Sequence, residues 1–354
     1  MAKRVMILAG GTGGHVYPAL AVARYLSESG NQVYWMGTRN GLEASVAPNN
    51  GFSVDWLSVS GIRGKKGLKL FKAPFLLILA CCQAGLILYR RRPDVVLGMG
   101  GFVSGPGGLM AWLLRVPMVI HEQNAIPGTT NRILASFAVR VLEAFPGSFD
   151  QSIHAICTGN PVRAEIVRVP RKARLDPEKV PCILVLGGSQ GARRLNQTIP
   201  SVIGALNRKV EVLHQTGIRM REQTEAAYRS LAIAANVKSF LDDMSEAYQW
   251  ADLVVCRSGA MTISELSIVG LPSLLVPFPY AIDDHQTHNA HYLVNAGAAV
   301  LVPESDNLEK DLHSALKSIL DDSRRIRSMA QTATRLAKPD ATKAVAEYCL
   351  GEAA

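Results

Sequence analysis

The sequence predicts an α/β protein of two Rossmann-like domains, each a doubly wound parallel sheet, facing a central cleft. Two segments, residues 5–15 and 183–193, share the order of apolar strand, glycine-rich turn and helix. Apolar runs of strand length also alternate with helical stretches along the chain, which is typical of parallel sheets covered by helices. A length of 354 residues is long for one domain and suits two.

The alternation assigns each element in order. In the first half we expect strands at 5–9, 32–36, 54–59, 95–97, 118–121, 139–142 and 155–158, with the clearest helix at 17–29. In the second half we expect strands at 182–186, 210–215, 237–240, 253–256, 273–276 and 299–302. Helices are expected there at 193–206, 259–269, 286–296, 308–320 and 324–337, and a last one at 341–350. The predicted domains are 1–160 and 161–338, and the segment 339–354 is expected to pack back on the first.

The charge is uneven, because the net charge of +9 belongs almost wholly to the first half. Residues 57–92 carry eight basic side chains and no acidic one, around an apolar stretch at 73–88. Interrupted by Pro74, Gln83 and Gly85, this stretch is too short to span a bilayer, which needs about 20 residues. Two interpretations stay open here: a buried helix with solvated charged ends, or a peripheral patch that meets anionic lipid. Nucleic-acid binding is disfavoured, since no stacking aromatics alternate with the basic residues.

The six cysteines form no C-x-x-C pair, so their spacing predicts neither a zinc site nor a disulfide framework. A reducing cytoplasmic compartment is the simplest interpretation. The apolar run near the N-terminus stops at Gly10 and is too short for a signal peptide.

The first glycine motif, Gly10-Gly-Thr-Gly-Gly-His15, is neither a P-loop nor a dinucleotide fingerprint. It lacks the Gly-Lys-Ser/Thr ending, has Val16 where the fingerprint needs Gly or Ala, and is followed by a strand ending in Thr38 instead of an acidic residue. Four glycines around Thr12 exceed what a tight turn needs, which favours a ligand loop over a purely structural turn. His15 falls near a helix N-terminus, where the dipole favours the uncharged imidazole, and it is our candidate general base.

The second half offers further ligand groups. The turn at 187–191 presents Ser189 and backbone amides to a diphosphate, and Arg257 is placed to reach phosphate. Glu265 is expected to accept hydrogen bonds from a ribose diol; the alternative is a solvated helix carboxylate.

Residues 283–289 open a further helix. The acidic and histidine side chains there could in principle bind a metal, but helix capping and sugar hydroxyl contacts are favoured. The chain has no Asp-x-Asp motif, so we expect no metal and no cofactor. Leaving-group charge would then be met by helix dipoles, backbone N–H groups and arginine.

Two more segments of the first half, the glycine loop at 98–108 and His121-Glu-Gln-Asn124, also follow strands. Since ligands of open α/β sheets lie beyond the carboxyl ends of the strands, we expect all these loops to converge on one site.

Seven segments together resemble the MurG family, peptidoglycan N-acetylglucosaminyltransferases of the GT-B superfamily. They are GGTGGHVYPALAVA, GMGGFVSGPGG, HEQNAIPGTTN, GNPVR, GGSQGARRLN, CRSGAMTISEL and DDHQTHNA, in the family's order over residues 5–300. The resemblance implies an inverting transfer of GlcNAc from UDP-GlcNAc to the C4 hydroxyl of MurNAc in lipid I, which makes lipid II.

The resemblance also implies site residues. Donor contacts would come from Thr12, Gly13, Gly14, Asn124, Arg163, Ser189, Leu241, Ala260, Met261, Thr262, Ile263, Ser264, Glu265 and Gln286. Acceptor contacts would come from His15 and from the loop that holds Gly100, Gly101, Ser104 and Gly105. Some family members have Tyr where this chain has Phe102, so no hydroxyl role is assigned there.

The implied partners are UDP-GlcNAc, lipid I and an anionic membrane surface at the cytoplasmic face of the inner membrane, with cell-wall-synthesis proteins as further candidates. Peripheral docking becomes the favoured interpretation of the basic, apolar segment. Two rival functions remain: a UDP-GlcNAc 2-epimerase of similar two-domain build, and a non-catalytic membrane scaffold that binds nucleotide sugar.

Overall fold

A computed structural model describes residues 2–59, 73–170, 179–187 and 192–352 of the protein. The chain divides into two compact units. The first consists of Met1–Arg163 and Pro339–Ala354, and the second of Ala164–Lys338.

The first unit is built on a sheet of seven strands, all parallel. They are β1 (Arg4–Leu8), β2 (Gln32–Gly37), β3 (Val54–Trp56), β4 (Val95–Gly98), β5 (Met118–Glu122), β6 (Arg140–Glu143) and β7 (Ile156–Cys157). Their spatial order is β3-β2-β1-β4-β5-β6-β7. The central strand β1 is apolar from Val5 to Leu8, as expected of a strand that helices cover on both faces.

The two faces of this sheet bury separate cores, as the alternation of side chains along a strand requires. Val5 and Ile7 of β1 belong to one core, and Met6 and Leu8 belong to the other. The helices of this part of the unit are α1 (Gly13–Glu28), α2 (Glu43–Asn49), α3 (Ala73–Arg91), α4 (Ser104–Leu113) and α5 (Thr129–Leu134). Helix α1 packs in the first core, whereas α3 and α4 pack in the second.

The second unit repeats the plan with six parallel strands. They are β8 (Cys182–Leu186), β9 (Glu211–Gln215), β10 (Ala235–Lys238), β11 (Leu253–Cys256), β12 (Ser273–Leu275) and β13 (Ala299–Leu301), in the order β10-β9-β8-β11-β12-β13. Its helices are α6 (Ala164–Val167), α7 (Arg193–Gly204), α8 (Arg221–Ser230), α9 (Met244–Trp250), α10 (Ala260–Val269), α11 (His285–Val294), α12 (Leu308–Leu320) and α13 (Ser323–Arg335). The predicted pair of doubly wound parallel sheets is therefore confirmed.

One further helix, α14 (Ala341–Leu350), follows the second unit in sequence but belongs to the first. Val345, Ala346, Cys349 and Leu350 of α14 are buried in the same core as Val5 and Ile7.

Several element bounds differ from prediction by one or more residues, and three of them have a clear physical reason. Strand β3 stops at Trp56 because its partner β2 ends at Gly37: the Leu57 amide still donates to the Gly37 carbonyl, but the Ser58 amide donates to the Gln83 side chain. Strand β10 lies two residues before its predicted position, since its register runs from Ala235 opposite Val212 to Lys238 opposite Gln215, where β9 ends. Helix α1 begins at Gly13, four residues before the predicted start. Glycine has a low helix propensity, so Gly13 and Gly14 were not predicted to be helical.

Each of the two sheets has its own topological switch point. In the first unit β1 and β4 are neighbours, yet the chain leaves them toward opposite faces through α1 and α4. In the second unit β8 and β11 are the corresponding neighbours. The crevice at the carboxyl ends of such strands is where ligands of these folds bind.

Candidate functional site

The first glycine turn opens helix α1. Gly11 has a φ of +93°, a conformation that favours glycine, and Thr12 precedes the first helical residue. The Thr12 carbonyl accepts hydrogen bonds from the amides of His15 and Val16, each at 3.1 Å. The predicted residues Gly13 and Gly14 are thus the first two residues of the helix, where backbone N–H groups attract anions.

The second glycine loop lies directly against the first. A β-carbon on Gly100 would fall 2.8 Å from the His15 ring, and one on Gly101 would fall 2.2 Å from the Gly10 carbonyl oxygen. Both glycines also have positive φ. The loops that follow β1 and β4 therefore meet at the switch point, with the His15 ring packed beside Gly100.

Ser104 fixes this second loop. Its hydroxyl accepts a hydrogen bond from the Gly100 amide and lies 2.9 Å from the Gly100 carbonyl and 3.1 Å from that of Leu8. The side chain is fully buried, so Ser104 holds the loop in shape. Gly105 follows in the first turn of α4, near Thr130.

Glu43 secures the first loop from inside the protein. Its buried carboxylate accepts hydrogen bonds from the Gly11 amide at 2.9 Å and from the amide and hydroxyl of Thr38 at 2.8 and 2.7 Å. A buried charge with three donors is compensated, whereas an unpaired one would cost several kcal/mol.

His15 is the start of a chain of polar contacts. Its Nδ1 lies 2.7 Å from Gln123 Oε1, and Gln123 Nε2 lies 3.0 Å from His121 Nδ1. His121 Nε2 in turn lies 2.9 Å from the Gly159 carbonyl oxygen. His121 is fully buried, and burial lowers its pKa to about 4, so the ring is neutral at pH 7.

Asn124 and Arg163 complete the predicted residues of the first unit. The backbone amide and side-chain NH₂ of Asn124 both donate to Glu122 Oε1, so a buried carboxylate sets the loop after β5. Arg163 places its guanidinium carbon 5.8 Å from the centre of the Tyr17 ring, a cation–π contact with α1.

In the second unit, the glycine turn after β8 is only partly described. The predicted residue Ser189 lies outside the described residues. Gly187 donates its amide to the Gln215 carbonyl, and helix α7 begins at Arg193.

Arg257 is engaged within the second unit. Its guanidinium lies 2.5 Å from the Glu304 carboxylate and donates to the carbonyls of Val276 and Pro277, each at 3.1 Å. It also packs 5.5 Å from the centre of the Phe278 ring. In this arrangement Arg257 braces the loop after β12, and a phosphate would have to compete with Glu304 for it.

Helix α10 carries six of the predicted donor residues. Gly259 is its N-cap, and the N–H groups of Ala260, Met261 and Thr262 lie in its first turn. Ile263 is fully buried, and the Ser264 hydroxyl donates to the Ala260 carbonyl. These two side chains support the helix, leaving its amides as the groups for an anion.

Glu265 lies further along α10 and is 7 % exposed. The Tyr248 hydroxyl of α9 donates a 2.8 Å hydrogen bond to Glu265 Oε2. A solvated carboxylate, the alternative considered from sequence, does not describe this side chain.

The loop after β12 is strained and presents aromatic rings. Asp283 and Asp284 both adopt positive φ, which is rare outside glycine and is retained where a site requires it. The predicted residue Gln286 accepts a 2.9 Å hydrogen bond from the Phe278 amide through Oε1, so its NH₂ group is the donor that a ligand would meet. Tyr280 is 83 % exposed.

Leu241 follows β10 and is buried. It lies on the wall of a cavity of about 710 Å³ within the second unit, together with Phe240, Asp243 and Trp250.

An exposed apolar surface covers α3, α4 and α5 of the first unit. Ala80, Ala84 and Leu88 form the buried stripe of α3. Its opposite side exposes Phe75 by 72 %, Ile78 by 62 % and Tyr89 by 67 %. The surface continues through Trp112 and Leu113 of α4, Ile133 of α5, and Phe137 in the turn after α5.

Helix α3 is long and apolar enough to cross a membrane by length and composition, over Pro74–Arg91. Within the described part of the chain it is the one such helix, and this is weak support for a span. Its buried stripe belongs to the core of the first unit. The predicted basic residues Arg63, Lys65, Lys66, Lys69 and Lys72 lie outside the described residues.

No group of three or more His, Cys, Asp or Glu side chains suited to a metal ion occurs among the described residues.

The structure adds three site-forming residues that were not assigned a role from sequence: Glu43, Gln123 and Tyr248. Gln123 stood within a polar run at the end of a predicted strand, which is a usable signal. Glu43 and Tyr248 gave none, because each acts through a partner distant in sequence.

Comparisons with known proteins agree on one family. Residues 5–143 match the glycosyltransferase family 28 N-terminal domain, and residues 182–345 match the C-terminal domain of the same family. A Methylococcus capsulatus protein named UDP-N-acetylglucosamine–N-acetylmuramyl-(pentapeptide) pyrophosphoryl-undecaprenol N-acetylglucosamine transferase is 56 % identical, over 100 % of this chain and 99 % of its own.

Solved structures give the same result. The crystal structure of Acinetobacter baumannii MurG superposes with a TM-score of 0.85 at 36 % identity, covering 99 % of both chains. The UDP-GlcNAc 2-epimerase of Neisseria meningitidis, with a TM-score of 0.68 at 12 % identity over 99 % of this chain and 100 % of its own, shares the fold alone. The resemblance inferred from the sequence motifs is confirmed.

Proposed function

The chain belongs to glycosyltransferase family 28, and on that premise we propose that it is an N-acetylglucosaminyltransferase of peptidoglycan synthesis. It moves GlcNAc from UDP-GlcNAc to the C4 hydroxyl of MurNAc in undecaprenyl-pyrophosphoryl-MurNAc-pentapeptide, which converts lipid I to lipid II. The observation that carries this proposal is identity above half to relatives named for that reaction, over the full chain.

The donor is assigned to the second unit. Support comes from the N-terminus of α10, from the ordered carboxylate of Glu265, and from Gln286 at the start of α11, next to the strained loop after β12. A helix N-terminus suits the diphosphate, and a fixed carboxylate suits the ribose diol. Ser189 is proposed as a further phosphate ligand, and Arg257 as the residue that braces the loop around the sugar.

The acceptor is assigned to the loop 100–105 of the first unit, with His15 as general base, whereas Thr12, Gly13 and Gly14 of the first glycine loop are proposed as further donor contacts. In the reaction the C4 oxygen of the acceptor attacks the anomeric carbon of GlcNAc, and His15 takes the hydroxyl proton. The bond from that carbon to the β-phosphate oxygen breaks, and UDP leaves with the electron pair. Attack opposite the leaving group inverts the anomeric configuration. Helix N-termini and backbone amides meet the charge that develops on UDP, so no metal is required.

Membrane docking is assigned to the apolar surface on α3, α4 and α5. An exposed apolar face on a helix that Lys and Arg flank in the sequence suits reversible insertion at an anionic interface. Because the stripe Ala80, Ala84 and Leu88 is committed to the core, α3 docks at the surface instead of crossing the bilayer. We therefore propose a peripheral enzyme at the cytoplasmic face of the inner membrane, acting with cell-wall-synthesis proteins in growth, shape and division.

The experiment that tests the function uses radiolabelled UDP-GlcNAc with a lipid I analogue. The proposal predicts a labelled lipid-linked disaccharide and release of UDP, both dependent on the acceptor. A 2-epimerase would instead convert the sugar nucleotide to its 2-epimer without acceptor. A non-catalytic scaffold would bind the label and form neither product. Either of the last two results would contradict the proposal.

A further inference from the structure

We propose that Gln123 and His121 form a directional hydrogen-bond relay that fixes the tautomer of His15. In this relay His15 carries its proton on Nδ1 and keeps the lone pair on Nε2. The relay makes Gln123 and His121 positioning residues that act through His15. Its link to turnover rests on the proposed function, whereas the tautomer itself does not.

The first fixed point of the relay is the Gly159 carbonyl. A carbonyl oxygen only accepts, so His121 Nε2, at 2.9 Å, must carry a hydrogen and donate it. The ring of His121 is neutral, because burial holds its pKa near 4. A neutral imidazole has one N–H, and therefore His121 Nδ1 is an acceptor.

The second fixed point is the backbone carbonyl of His121. Gln123 Nε2 lies 3.0 Å from that carbonyl and 3.0 Å from His121 Nδ1, and both of these atoms are acceptors. The two hydrogens of the Gln123 NH₂ group are thus both used. The opposite amide orientation would set Gln123 Oε1 against two acceptors, so it is excluded on chemical grounds.

The orientation of Gln123 then determines His15. Gln123 Oε1 faces His15 Nδ1 at 2.7 Å, and an amide oxygen only accepts. His15 Nδ1 must therefore donate. Since neutral histidine has a single N–H, Nε2 bears the lone pair that a general base needs. Among the described residues, none forms a hydrogen bond with His15 Nε2.

The relay has a chemical purpose, because free histidine in water favours the opposite tautomer, with the hydrogen on Nε2. In that form the outward nitrogen of His15 could not take a proton. A glutamine left unanchored could rotate its amide and present NH₂ to His15, which would select that form. The two carbonyls that hold Gln123 and His121 prevent this rotation. Gly100, packed against the His15 ring, holds the ring on the same side.

The backbone beside the relay is also fixed. Asn160 donates from its side chain to the Gln123 carbonyl at 3.0 Å and is buried. Gly159 and Asn160 are therefore tied to both members of the relay. The last acceptor of the relay is the Gly159 carbonyl. It lies in the segment 159–163, which ends at the unit boundary at Arg163.

The test combines nitrogen NMR with steady-state kinetics on the full chain. Histidine labelled with ¹⁵N distinguishes protonated from bare ring nitrogens, and His15→Gln identifies the His15 signals by their loss. We expect His15 as the Nδ1–H form and His121 as the Nε2–H form at pH 7.5. An Nε2–H form of His15 in the wild type would overturn the relay.

Variants connect the tautomer to turnover. Gln123→Met keeps the length of the side chain but removes its three hydrogen bonds to His15 and His121, so the His15 signals should move toward the Nε2–H form. Turnover should fall on the order of 10- to 10³-fold, with the KM for UDP-GlcNAc nearly unchanged. Gln123→Glu keeps an acceptor facing Nδ1 but sets its second oxygen against the two acceptors of His121, so its turnover should lie between that of Gln123→Met and that of the wild type, which a loss of shape alone would not explain.

Gln32→Met is the matched control, since Gln32 is an exposed glutamine at the start of β2 whose amide oxygen accepts from Tyr34. It should change neither the His15 signals nor turnover. A Gln123→Met protein with a shifted tautomer and wild-type turnover would refute the positioning role. Absence of GlcNAc transfer by the wild type would refute the proposed function, while the NMR result would still decide the tautomer.

Discussion

Gly101 and Gly10 touch so closely that a β-carbon on Gly101 would fall 2.2 Å from the Gly10 carbonyl oxygen. The loops after β1 and β4 can approach in this way only because Gly101 has no side chain and adopts a φ of +82°.

Gly101→Ala should therefore separate the two loops and displace the groups around His15. Left-handed backbone costs alanine roughly 1–2 kcal/mol before the clash is counted. We expect a lower melting temperature and a loss of turnover larger than the loss of stability explains. Gly128→Ala is the matched control, since Gly128 has a φ of −61° and open space at its β-carbon. Equal behaviour of the two variants would show that the contact does not matter.

Glu265→Ala should raise the KM for UDP-GlcNAc. Losing a charge-assisted hydrogen bond to the ribose costs about 1.5–3 kcal/mol, or roughly 10- to 150-fold. Tyr248→Phe removes the hydroxyl that orients Glu265 and should raise the same constant by less. Initial rates at varied donor concentration measure both. An unaltered KM in Glu265→Ala would remove this carboxylate from the donor site.

Vesicle binding should depend on α3. Ile78→Ser places a hydroxyl on the exposed face of the helix and should weaken sedimentation with anionic vesicles. Ile218→Ser is the control, because Ile218 is 84 % exposed but belongs to the second unit.

Reversal of Lys65, Lys66, Lys69 and Lys72 to Glu should weaken vesicle binding further at low salt, since each basic residue near an anionic surface contributes about 1 kcal/mol. Activity on a soluble acceptor analogue should persist in these variants. Binding that is equal on neutral and anionic vesicles would contradict this electrostatic part of the docking proposal.

Activity should survive EDTA. In the proposed site, helix N-termini and backbone amides stabilise the charge on the leaving UDP. Chelation should therefore change the rate by no more than about two-fold, whereas loss of a catalytic metal would remove several kcal/mol of transition-state stabilisation. Complete loss that Mg²⁺ or Mn²⁺ restores would reveal a catalytic metal.

Acid should destabilise the protein partly through His214. Burial lowers the pKa of His214 to about 3, below the usual 6.5, so the unfolded state binds the proton first as pH falls. The contribution of His214 to the free energy of unfolding is present above pH 6.5 and declines below it, by about 1.4 kcal/mol at pH 5.5. Urea unfolding measures the free energy of unfolding at pH 7.5 and at pH 5.5. The loss of stability between these two pH values should be smaller for His214→Gln than for the wild type. The exposed control His154→Asn should keep the wild-type difference.

The sequence predicted the elements best where an apolar run was bounded by glycine, proline or charge. Strands β8 and β11 and helices α12 and α14 have the predicted bounds. Prediction failed where a partner decided the boundary, as at β10, whose pairing ends with β9. Local propensity does not contain that information.

The candidate site divides in the same way. The glycine loops that can bind an anion through backbone N–H groups were predicted from the sequence. Glycine directly after a strand indicates a turn whose backbone conformation other residues rarely adopt. Side-chain roles depended on contacts that sequence does not display: Gln123 meets a histidine 108 residues away, and Arg257, expected at a phosphate, is paired with Glu304.

Helix α14 has a consequence for the folding of the protein during its synthesis on the ribosome. The core that holds Val5 and Ile7 also needs Val345 and Leu350, and all of Ala164–Lys338 is translated between them. The second unit can complete its own core while the first still lacks a helix. Folding of this protein is therefore not strictly vectorial: the segment synthesised first is the one that must wait, its apolar face available to chaperones until α14 emerges.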